Sequence, residues 1–149
     1  MNLFAAAVAS LWMAAACLLT PASAATPDEI IAMRQANQKR VGELFDAMKK
    51  SVAAGATATS QVDAVKEIDE RAHLIKGYFP AGTETGGNTK ARPEIWTNRD
   101  GFNQAADNYV AAFDKLLVLA NAGDTAAFNA AYAEAGATCG ACHRNFRAR

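Results

Sequence analysis

The side chains with the most chemistry to offer lie near the end of the chain, in the run Cys139-Gly140-Ala141-Cys142-His143. On a helix the two cysteines and the histidine fall at i, i+3 and i+4, so two thiols and an imidazole share one face. Two sulfurs able to add across vinyl groups, beside a nitrogen able to ligate iron, form the pattern for covalent attachment of a c-type haem, one per chain. In that reading Cys139 and Cys142 hold the macrocycle and His143 is the metal ligand. Other uses of the spacing fit the chain less well. A thioredoxin-like redox pair belongs at the helix start of a βαβ unit, and no strand pattern precedes the run. A zinc site takes about four nitrogen or sulfur ligands, and past residue 24 only His73 and carboxylates remain to complete it. A disulfide between the two cysteines would close too short a loop to constrain much of the chain.

The elements that must position this run are helical. Thr26 is an N-cap, with Pro27 at the first helical position and Asp28 and Glu29 in the first turn, which predicts a helix to about Ala53. A second helix is predicted from about Gln61 to Tyr78, stopped by Phe79-Pro80-Ala81-Gly82. Residues 81–93 contain Gly82, Gly86, Gly87 and Pro93 and read as a long connection. A third helix begins at Pro93 or Arg99 and runs to Ala122. Gly123 and Asp124 then make a short turn into a fourth, which carries the haem run to about Arg147. Apolar residues recur at helical spacing in these segments: Val62, Val65, Ile68, Ala72, Ile75 and Phe79; then Phe102, Ala106, Tyr109, Phe113, Leu116 and Ala120; then Phe128, Ala131 and Ala135. The prediction is an all-α protein, an antiparallel four-helix bundle with the haem on its C-terminal helix.

The first helix breaks the rule. Its seam runs Ile31, Arg34, Gln38, Val41, Phe45, Met48 and Val52, and two of those positions are polar. A buried arginine left without a partner costs roughly 3–5 kcal/mol, so something is expected to answer Arg34, and a haem propionate is the obvious anion. Gln35 is placed to donate to the same group, and Gln38, one turn deeper, to face the side of the iron opposite His143. The competing arrangement rotates the helix so that Arg34 and Gln38 are solvated, as neighbouring Lys39 and Arg40 must be. Met33 is about 100° round the helix from Arg34, Met48 reads as core filler, and His73 lies off the apolar face of its helix. None of these is well placed as a second strong iron ligand, which leaves one coordination position open to a small gas.

Residues 1–24 stand apart. Leu3 to Leu19 is almost wholly apolar and uncharged, and Ala22-Ser23-Ala24 is a small-residue cleavage signal. The expectation is a signal peptide over 1–24 and a single domain over 25–149, exported to the periplasm. A retained anchor is the alternative, since the apolar run is near the lower limit for a span. The 15 basic and 15 acidic residues balance, so there is no basic excess to neutralise nucleic-acid phosphates. No membrane contact is expected after cleavage.

With these residues in place, the chain resembles the cytochrome c′ family. The resemblance is carried by Arg34-Gln35, Phe79-Pro80-Ala81-Gly82-Thr83, Thr89-Lys90-Ala91-Arg92-Pro93-Glu94-Ile95-Trp96, Asn121-Ala122-Gly123-Asp124, and the haem run followed by Arg147. It implies His143 as the sole protein axial ligand of a high-spin, five-coordinate iron, and a homodimer packed through the first two helices. It also implies propionate contacts from Arg34 and Gln35, a further haem contact at Thr89, Trp96 packed near the haem, and Arg147 near its proximal face. Gln38 departs from the family pattern, which usually has an apolar residue there; the low-spin c-556 type has a ligating methionine. The function this implies is binding of nitric oxide or carbon monoxide, with electron transfer to an unidentified redox partner. A low-spin c-556-type electron carrier is the alternative. A peroxidase would need a distal acid–base group, and the helix-one seam offers no histidine or carboxylate, so the chain does not read as an enzyme.

Overall fold

A computed structural model describes residues 24–149. The leader assigned to residues 1–24 therefore lies, save its last residue, outside the described residues. Five helices follow: α1 (Pro27–Ala53), α2 (Val62–His73), α3 (Glu94–Thr97), α4 (Arg99–Ala122) and α5 (Thr125–Phe146). Short 3-10 turns at Ala58–Gln61 and Ile75–Tyr78 flank α2. The predicted second helix is thus an α-helical centre with tighter ends. Of the two starts expected for the third helix, Pro93 opens only the single turn α3, and the long helix α4 begins at Arg99, capped by Asn98 accepting from the Gly101 N–H.

Local chemistry explains the boundaries. The Thr26 hydroxyl accepts from the Glu29 N–H while the Glu29 carboxylate accepts from the Thr26 N–H, a reciprocal capping box with Pro27 behind it. Gly123 ends α4 at φ 74° and Asp124 caps α5 by accepting from the Ala127 N–H at 3.0 Å.

The long helices alternate in direction. Asn37 meets Arg71 and Arg40 meets Glu67 between α1 and α2; His73 meets Asp114 and, just past α2, Lys76 meets Asp107 on α4; Phe102 meets Phe146 and Lys115 meets Glu134 between α4 and α5. In each pair the contacts run in opposite chain order, as an antiparallel four-helix bundle requires. All six apolar α4 positions expected in the core are buried. Four of the seven α1 seam positions are buried as well: Ile31, Arg34, Val41 and Met48 are 5 % exposed or less, with Gln38, Phe45 and Val52 half-buried, so helix one is not rotated to solvate its arginine. Asn37 joins them, its amide donating to Arg71 O and its carbonyl accepting from Arg71 Nη1. Among the described residues no helix is long and apolar enough to cross a membrane.

Candidate functional site

At one end the four long helices part around a cavity of about 600 Å³, a size typical of small-molecule sites, which span roughly 300–1,000 Å³. Its α5 wall carries Cys139, Cys142, His143 and Phe146; its α1 wall carries Arg34, Gln35, Gln38, Val41 and Phe45. Ile75, Phe79, Phe102 and Tyr109 complete an apolar floor. Helical spacing therefore does aim the two thiols and the imidazole into one space, opposite the polar break in α1.

Burial tunes these donors. It pushes the Cys139 thiol up, and it pushes Cys142 to about 11, with Cys139 adding to the effect. Both are protonated at neutral pH, which disfavours the thiolate that zinc binding needs. Burial, and then the Arg147 charge, pull His143 below the usual imidazole range. That keeps the ring neutral and its lone pair available to a metal.

Arg34 is 3 % exposed, and the protein already answers it. Nη2 donates to Thr83 O at 2.8 Å and Thr89 Oγ1 at 2.7 Å; Nη1 donates to Thr83 Oγ1 at 3.0 Å and Tyr78 O at 3.4 Å. The guanidinium also lies 4.8 Å from the centre of the Phe79 ring. Something does answer this arginine, as its burial requires, and the protein itself supplies the first partners. The four acceptors are neutral, however, so its charge is solvated by dipoles and not cancelled. Burial pulls its pKa down, opposed by the charge of Glu84. Gln35 also lines the cavity, its amide donating one of its two hydrogens to Gly87 O at 2.9 Å. Gln38 differs: half-buried and in the wall, its amide has no hydrogen-bond partner among the described residues.

The rim is drawn together by the loop and the chain end. Arg92 N–H donates to Phe146 O at 3.0 Å and Ala148 N–H to Lys90 O at 2.8 Å, forming an isolated antiparallel bridge between Ala91 and Arg147. This sets Thr89, Lys90 and Arg147 in the cavity wall. Trp96 is not part of that wall. It stands behind Phe79, ring centres 6.0 Å apart, with its indole N–H donating to Pro80 O.

Sequence reasoning missed several wall residues. Phe79, Phe102 and Tyr109 had the right periodicity but were assigned to plain core. Tyr109 carries a buried hydroxyl with no hydrogen-bond partner among the described residues. Lys39, Lys90 and Asp46 gave no signal beyond being charged; Asp46 is an exposed carboxylate two turns along α1 from Gln38.

The arrangement fits a haem on physical grounds. An apolar slot suits a flat macrocycle, a rim bearing Arg34, Lys39, Lys90 and Arg147 suits its propionates, and two thiols and a neutral imidazole sit on one helix face.

Comparison with known proteins agrees. The family model described as Cytochrome C' matches residues 29–147. Cytochrome c′ of Rubrivivax gelatinosus is 42% identical over 69 residues, covering 46% of this chain and 54% of that protein. Cytochrome c-556 of Agrobacterium tumefaciens (strain II Chrys) is 42% identical over 84 residues, covering 56% of this chain and 66% of that protein. The matched region thus spans between about half and two thirds of these relatives. A solved nitric oxide complex of the L16A mutant of cytochrome c prime from Alcaligenes xylosoxidans superposes with a TM-score of 0.78 at 30% identity, covering 85% of this chain and 99% of that one. A bundle of four helices with its thiols and imidazole on the last one, and a family match across nearly all the described residues, lead to one assignment: the chain belongs to the cytochrome c′ family.

Proposed function

We propose that the protein is a periplasmic high-spin haem c protein, exported after removal of residues 1–24, that binds nitric oxide or carbon monoxide and transfers electrons without acting as an enzyme. One observation carries this reading. Cys139, Cys142 and His143 face a single cavity whose wall contains no methionine and no histidine other than His143.

Cys139 and Cys142 are the residues that would hold the haem by thioether links, with His143 as axial ligand. When bound, haem c supplies an iron that takes up a diatomic ligand and exchanges one electron. Arg34, Lys39, Lys90 and Arg147 place positive charge where propionates would lie. The apolar floor from Phe79, Phe102 and Tyr109 keeps bulk water from the site. Gln38 offers an uncommitted amide to a small ligand or an ordered water. We also infer a homodimer through α1 and α2, on the strength of the family resemblance alone.

The likeness to a cytochrome c-556 supports a second reading, a low-spin electron carrier. Gln38 opposes it, because this position holds no methionine to act as sixth ligand. Ferric electron paramagnetic resonance and the ferrous optical spectrum decide between them. A high-spin signal is expected; sharp low-spin α and β bands would establish the alternative. In the same protein, Gln38→Leu should change nitric oxide or carbon monoxide off-rates roughly two- to tenfold, the equivalent of one hydrogen bond of about 0.5–1.5 kcal/mol. Unchanged kinetics would remove the amide from the mechanism.

A further inference from the structure

Away from the cavity, Asp69 and His73 on α2 and Asp114 on α4 bring one ligand atom each to within 4.8 Å of one another. Asp69 and His73 are four residues apart and share a helix face; Asp114 reaches across from the neighbouring helix. None of the three lines the haem cavity. His73 Nε2 lies 3.0 Å from Asp114 Oδ1 and 3.9 Å from Asp69 Oδ1.

Asp69 Oδ1 is the telling atom. It is shut off from water and accepts no hydrogen bond among the described residues, yet it points at the imidazole from beyond hydrogen-bonding reach. A second carboxylate beside it means that the ionised pair has to be neutralised, by a proton, by a charged His73 or by a bound cation. His73 and Asp114 are about half exposed, at 54% and 51%, so an ion can enter and keep water on its open side. Ligands about 2.0–2.2 Å from a tetrahedral ion stand about 3.4 Å apart, between the two separations present.

We propose that Asp69, His73 and Asp114 form a binding site for a divalent first-row transition ion, bridging α2 and α4 and separate from the haem. The imidazole selects for zinc or copper over magnesium or calcium, which favour all-oxygen shells. Copper(II) binds tighter than zinc(II), following the general order of affinities. An ion held only by the folded arrangement of two helices also raises thermal stability.

The test is calorimetric titration of the full haem-loaded protein with zinc chloride in a non-chelating buffer. One equivalent binds per chain, magnesium does not compete, and the haem absorption spectrum stays unchanged. His73→Ala and Asp114→Asn each weaken binding at least tenfold, by analogy with the roughly 10–100-fold losses seen for supporting residues of metal sites. Zinc raises the melting temperature of the unmodified protein and not that of the double variant. Both changes are at half-exposed positions and leave the fold intact, which the unchanged haem spectrum checks. Absence of saturable binding, equal competition by magnesium, or undiminished binding in the double variant would each overturn the site. None of these results bears on gas binding at the haem, so the two readings fail separately.

Discussion

Where α4 turns into α5, Met48, Val65, Leu116, Ala120 and Phe128 close on one another, each 1 % exposed or less. At the opposite end the same helices stand around a cavity of about 600 Å³. The closed end is sealed by short-range means, a left-handed glycine and a capping aspartate, with Thr125 Oγ1 accepting from the Ala58 N–H to hold the α1–α2 corner against α5. The open end has no such filling. It is held by one buried arginine, a loop that wraps over α1, and a bridge between that loop and the chain end. Apolar packing is non-directional and fills the first region; the second has to be held apart as well as together, and directional hydrogen bonds serve that need.

The largest effect should come from hollowing the closed core. Phe113 is fully buried and lies edge-on to both Phe45 and Tyr109. Phe113→Ala is expected to cost about 3–5 kcal/mol, read from urea unfolding with an unchanged slope. Phe79→Ala, in the half-buried wall of the cavity, should cost less because one side of that ring already faces space. Equal losses would mean that the two ends are not distinct in packing.

Next comes the arginine. Arg34→Met keeps the aliphatic bulk and deletes four donor contacts, leaving Thr83 O without its charged partner. The expected cost is about 2–3 kcal/mol, and it should be local. Amide exchange should accelerate through residues 83–90 while the closed core keeps its protection. Uniform acceleration across the bundle would make Arg34 a general core residue and not an anchor for the loop.

Two glycines sharpen the contrast further. Gly87 has φ 51°, and a Cβ there would lie 2.8 Å from Ile31 Cγ2; Gly123 has φ 74°, with Thr59 Cγ2 at 3.3 Å. Both substitutions to alanine carry the left-handed backbone cost of about 1 kcal/mol. Gly87→Ala should cost more, because Ile31 is fully buried and cannot move aside. Thermal melts of the two variants give the comparison directly.

The same contrast governs what could be read from the chain alone. Thr26, Pro27, Gly123 and Asp124 act within a turn of themselves, so both well-defined helix boundaries were legible. The spacing of Cys139, Cys142 and His143 is local too, and it placed three donors on one face. Arg34 was correctly seen as buried, but its protein partners were not: two are backbone carbonyls 44 and 49 residues away, which carry no side-chain signature, and two are threonine hydroxyls 49 and 55 residues away, beyond any helical spacing. Asn37 gave a usable signal that went unread: it lies three residues past Arg34, on the same face, and is polar. The Ala91–Arg147 bridge pairs residues from distant segments and has no periodicity to announce it.

The smallest effect belongs to the exposed clamp between α1 and α2. Glu67 accepts from Arg40 and Arg71, both at 2.8 Å at their closest, and the hydrogen bonds from Arg40 and then Arg71 lower its pKa to about 2. The folded chain therefore holds this carboxylate ionised where the unfolded chain takes up a proton. Its contribution is complete above the ordinary value of 4.5 and is lost as pH falls through about 2. Melting temperatures of the unmodified protein and Glu67→Gln should differ at neutral pH and converge between pH 5 and 2. The difference should also shrink in high salt, because exposed pairs are screened. A gap that persists undiminished as pH falls through 2 would show that the side chain contributes by packing its stem and not by its charge.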